Sequence, residues 1–147
     1  MRLDPADHRA LTLWAADCAG HVLSYFEEKY PQDARPREAV EAGRAWARGD
    51  LAFSKVRAAA LAAHAAARDA DQGSARAAAR AAGHAAATAH VAGHARHAAA
   101  YAVSAATFAA VAADPAVATA ATLEEREWQN SRLPKSLHVW ALSDSSR

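Results

Sequence analysis

Five of the eight histidines, His64, His84, His90, His94 and His97, lie in a stretch built almost entirely from Ala, Arg, His and Gly. Imidazoles gathered on helices can ligate zinc or another borderline metal, exchange protons near neutral pH, or satisfy helix ends. His84 and His90 precede Gly93, and His94 and His97 follow it. A tight turn there draws these four together as a candidate partner or ligand site. In the following segment His94, His97, Tyr101 and Phe108 share one helical stripe. No Glu-x-x-His occurs in the chain, so the di-iron bundle signature is absent, and there is no His-Glu-x-x-His either. The pattern fits polar groups packed against Tyr101 better than a metal centre, with metal binding left open and no cofactor assigned. Titration of such histidines would make any binding here sensitive to pH around neutrality.

Other reactive residues are isolated. Asp17 and His21 stand one helical turn apart beside Trp14, the spacing of an acid–base pair and also of an ordinary surface ion pair. Cys18 falls mid-stripe between Trp14 and Val22, which predicts a buried, inert thiol. Arg76 and Arg80 are one turn apart and could grip a phosphate or carboxylate, although solvated arginines are the commoner outcome. There is no glycine-rich phosphate loop, serine elbow or paired active-site carboxylate. The sequence argues against an enzyme without excluding one.

The elements that must carry these groups are helices. Alanine occupies 47 of 147 positions, loses no side-chain entropy in a helix, and lets backbones approach closely. Asp4-Pro5 opens a first helix, with Leu11, Trp14, Cys18, Val22 and Phe26 on one face, expected to run to Tyr30-Pro31. A second runs from about Pro36 to Arg48-Gly49-Asp50, with Arg37–Glu41 and Glu41–Arg44 at helical ion-pair spacing. A third covers about Ser54 to Asp69, with Phe53, Val56, Ala60, His64 and Ala67 on one stripe that turns His64 inward. Helical composition then continues from Ser74 to Ala113, which as one rod would be about 60 Å long. A chain of this size has a radius of gyration of only about 15 Å, so a break is expected between Val91 and His94, at or beside Gly93. Asp114-Pro115 opens a last helix to about Arg132, and Leu133-Pro134 ends it. The expectation is one compact all-α domain of five to seven helices over residues 1–134. Residues 135–147 form a tail in which Leu137, Val139, Trp140 and Leu142 could dock and 143–147 should fray. Trp14, Trp46, His64 and Tyr101 are expected to fill the space that alanine leaves.

A net charge of +1 argues against a dedicated nucleic-acid binder. Residues 51–100 are modestly basic, with six basic groups against two acidic. The lone cysteine suits a reducing cytoplasm. No signal peptide is read at the N-terminus, and the uncharged stretch Ala98–Ala113 is short for a membrane span.

Several segments carry a family resemblance. They are Trp14-Ala-Ala-Asp-Cys-Ala-Gly-His-Val-Leu23, Ala45-Trp-Ala-Arg-Gly49, Ala62-Ala-His-Ala-Ala-Ala-Arg68, Ala82-Gly-His-Ala-Ala-Ala-Thr-Ala-His-Val91, Glu127-Trp-Gln129 and Arg132-Leu-Pro134. Together they resemble bacterial immunity proteins linked to polymorphic toxin systems, over about Asp7 to Leu137. The resemblance implies an all-helical domain that binds and neutralises a cognate toxin, and it supplies no catalytic residues. The chain lacks the acidic surplus that would complement a basic toxin. A small metal- or ligand-binding protein using the histidine cluster is the alternative, and a helical module without a ligand is the third.

Overall fold

A computed structural model of the chain describes residues 3–138 and 140, all of whose secondary structure is helix or turn. Six helices of 13 to 20 residues form the compact all-α bundle: α1 (Pro5–Val22), α3 (Arg35–Ala47), α4 (Phe53–Asp69), α5 (Ser74–Ala87), α6 (His94–Ala113) and α7 (Ala118–Arg132). A single turn, α2 (Ser24–Glu27), follows α1, and short 3-10 turns cover Pro115–Val117 and Lys135–Leu137. The first helix was expected to reach Tyr30 unbroken. Instead its ladder is interrupted at Leu23, whose N–H reaches back to Gly20.

The helix starts follow their caps. The Asp4 carboxylate accepts from the Asp7 N–H at 2.8 Å, and Asp114 accepts from the Ala116 N–H at 3.0 Å. Gly73, at φ +109°, makes the turn from α4 into α5 in a region that side chains disfavour. Arg76 closes the end of α4, its guanidinium donating to the carbonyls of Ala67 and Ala70 at 2.7 to 3.2 Å. It is thus spent on the backbone rather than poised with Arg80 for an anion.

Helix α5 is the centre of the bundle, packed against α1, α2, α3, α4 and α6. Ala75, Ala77, Ala78, Ala79, Ala81, Ala82, Ala85 and Ala86 are all buried along it. Between its ends only a narrow edge of Arg76, Arg80 and His84 stays half-buried, and methyl side chains around the rest of the helix let each neighbour come close. A Cβ on Gly43 of α3 would already lie 3.5 Å from the Ala85 carbonyl oxygen.

The larger residues seal the periphery. Leu11, Val22, Phe26, Val40, Val56 and Leu137 are fully buried. Trp14 is 3% exposed, and its indole N–H donates to the Gln129 carbonyl at 2.8 Å. The Gln129 amide in turn donates to the Ala99 carbonyl at 2.9 Å, pinning α7 to α1 and α6. Trp46, His64 and Tyr101 are partly buried, less completely than Trp14. Trp46 lies at an edge between the rings of His8 and Phe53, while His64 and Tyr101 border surface grooves. Phe53 also departs from its inward stripe and is exposed, because it starts α4 at the rim.

Of the two charge pairs anticipated on α3, Glu41–Arg44 forms at 3.3 Å, but Arg37 turns away to grip Glu27 of α2. Beyond α7, Trp140 lies beneath the Arg96 guanidinium, 4.0 Å from its ring centre. Val139, Leu142 and the terminal 143–147 lie outside the described residues.

Candidate functional site

The turn between α5 and α6 is held from both sides. α5 stops at Ala87, where the buried Thr88 hydroxyl donates back to the His84 carbonyl at 2.9 Å. The Thr88 carbonyl meets His8 Nε2 of α1 at 2.6 Å. Residues 88–93 make turns and α6 starts at His94, so the break spans six residues and begins earlier than the glycine. Gly93 itself is right-handed, at φ −58° and ψ −23°, with open space where a Cβ would go. Its lack of a side chain is not what makes the turn.

The turn folds three of the four candidate histidines together. His84 and His94 face each other through Nδ1 at 2.9 Å, and the His97 ring centre lies 5.1 Å from that of His84 and 5.9 Å from that of His94. Tyr101 stacks parallel on His84 at 5.3 Å, as the packing reading anticipated. His64, assigned inward but not to the site, belongs to this group, with its ring edge-on to His84 at 4.8 Å. Gly83 makes room for it, since a Cβ there would lie 2.6 Å from the imidazole. A glycine on the next helix was the one trace of this approach in the sequence. His90 points elsewhere, exposed on the turn with its ring 5.3 Å from Phe53. His64, His90 and His94 meet again as walls of an open groove of about 290 Å³ that also touches Arg57 and Leu61.

Burial, reinforced by the neighbouring histidines and Arg80, pushes His84 down to about 3. Burial first, then His94, Arg68 and Arg80, lowers His64. Burial, His97 and His90 lower His94. His84 is therefore neutral at pH 7 and does not supply the titration expected near neutrality, and the neutral form is favoured at His64 and His94 as well. Among the described residues, no group of three or more His, Cys, Asp or Glu is arranged to hold a metal ion.

The second pair read from the sequence is not a pair. Asp17 takes Arg44 at 3.2 Å, and His21 takes Glu125 at 2.9 Å. Glu125 is 6% exposed, and the His21 ring stacks on Trp128 at 3.6 Å. Glu125 and Trp128 were missed because α7 looks like a solvated helix by composition. The only hint was that its inward face offers few apolar residues. Cys18 is fully buried, and burial, with the charges of Glu125 and Asp17, pushes its thiol up and away from reactivity.

The fold is thus a small all-α bundle with an open groove beside one turn. The chain belongs to the Imm-5 like putative immunity protein family, whose model matches residues 1–136. No curated protein and no solved structure matches it. No helix among the described residues is long and apolar enough to cross a membrane.

Proposed function

We propose that the chain is a cytoplasmic immunity protein that binds a cognate bacterial toxin and neutralises it without turnover of its own. The observation that carries this reading is the family match across residues 1–136. The groove at the α5–α6 turn supports it as the contact surface, because His90 and Val91 are exposed there beside small residues that let a partner approach closely. The inert Cys18 and the weakly basic His84 support a role without catalysis.

The test is co-expression with a toxin encoded beside the gene. Wild type should restore growth, and a His90→Ala/His94→Ala double variant that still folds should protect less. Equal protection by both removes the turn from the interface. A second reading, a small metal-binding protein, rests on the two Nδ1 atoms of His84 and His94 at 2.9 Å. Protein metal sites use at least three donors, and that pair has no third in place. Failure of wild type to protect, with one metal ion bound per purified chain, would favour this second reading.

A further inference from the structure

The groove continues onto a ridge of α4 that the bundle leaves uncovered. Phe53, Arg57, Leu61, His64 and Arg68 follow at helical spacing along one edge, while Val56, Ala60, Ala63 and Ala67 turn into the core. Phe53 is 55% exposed and Leu61 60%, and Val91, beside His90, is 57% exposed. Large apolar side chains left open next to a groove mark an interaction surface.

The charges along this ridge are one-sided. Arg57 and Arg68 are exposed and form no ion pair with any described residue. From Leu51 to Ala113 the only acids are Asp69 and Asp71, at the far end of α4. Both are occupied there, Asp69 by Arg35 at 3.0 Å and Asp71 by Lys29 at 3.5 Å. A basic partner would be repelled from this ridge, and an acidic one would supply the missing countercharge. Arg57 and Arg68 are eleven residues apart. They therefore stand about 16 Å from one another along the axis, a span that one short secondary-structure element covers.

We propose that this ridge docks an acidic segment of a protein partner, with apolar side chains over Phe53 and Leu61 and carboxylates on Arg57 and Arg68. The inference rests on the immunity reading and gives the partner's surface its chemistry. An immunity protein without an acidic surplus then serves a toxin whose contact face is itself acidic.

The full-length chain, immobilised, is challenged with the neighbouring toxin, poly-L-glutamate, poly-L-lysine and single-stranded RNA. Wild type is compared with Arg57→Glu/Arg68→Glu and with a control of equal charge change, Arg9→Glu/Arg126→Glu. Toxin and polyglutamate should each bind the ridge variant at least about ten-fold more weakly and the control within about two-fold, with no binding of polylysine. Undiminished capture of toxin by the ridge variant overturns the inference and leaves the immunity reading standing. Equal losses in both variants reduce the effect to net charge and also overturn it, as does tighter binding of RNA than of polyglutamate. Wild type that binds polyglutamate through the ridge but no toxin overturns the immunity reading and keeps the acidic docking surface. Wild type that binds neither overturns both.

Discussion

His84 and His94 meet Nδ1 to Nδ1 at 2.9 Å, a contact in which one ring must donate and the other accept. Protonating both would set two N–H groups against each other, so the pair tolerates at most one added proton. The contact thus adds to the burial that is the main reason His84 is a weak base.

Stability should fall as the pH drops from 6.5 towards 3. His84 has an ordinary value of 6.5 and is held at about 3 in the fold. Above that window both states are neutral and the cluster contributes no pH dependence. Within it the unfolded chain binds protons that the folded chain refuses, which favours unfolding. His64 and His94, also lowered, add in the same direction. Urea midpoints measured from pH 7 to 4.5 should decline for wild type and decline less for His84→Gln. Parallel slopes would mean that the cluster takes up protons without cost.

Gly83→Ala should displace the His64 ring, because the new Cβ would lie 2.6 Å from it. Overpacking of this kind costs about 1–3 kcal/mol, set against the gain of up to about 1 kcal/mol from replacing a mid-helix glycine. Adding His64→Ala should recover most of the net loss, a coupling that a double-mutant cycle reads directly. Additive effects would place the strain elsewhere.

Gly93→Ala should raise stability by about 0.4–1 kcal/mol, since its backbone is right-handed and the space beside it is open. Thermal denaturation of the single variant is sufficient. A lowered midpoint would show that the turn needs a glycine after all.

Trp14→Ala should cost on the order of 3–5 kcal/mol, as a large truncation in a packed interior. Gln129→Leu should cost about 0.5–1.5 kcal/mol, because it removes the side-chain donor that ties α7 to the Ala99 carbonyl of α6. Chemical denaturation checks both. A loss below about 1 kcal/mol for Trp14→Ala would mean that the α1–α7 contact is dispensable.

The helical architecture could be read from the chain because its punctuation is local. Asp4-Pro5, Gly73 and Asp114 act within a turn of where they stand. The interruption at Leu23 left no such mark, since the backbone there is still right-handed and the nearby Gly20 stands within α1. The candidate site was partly legible. His84, His94 and His97 converge because a turn had to fall near Gly93. His90 escapes because residues 88–93 are not helical, and stripe arithmetic fails once the helix stops. The His21–Glu125 contact joins residues 104 positions apart, beyond the reach of any periodicity.

The alanines of α5 have one more consequence. A methyl group has no rotamer to change, so the layer beneath α4 cannot reshape itself when something presses on the surface. The bundle behaves like a set of staves around a fixed axle, and α4 is held at a distance its neighbours cannot adjust. A visitor to that helix meets a rigid template rather than a pliable one. Little freedom is lost on contact, and discrimination falls to the few side chains that stand proud of the helix.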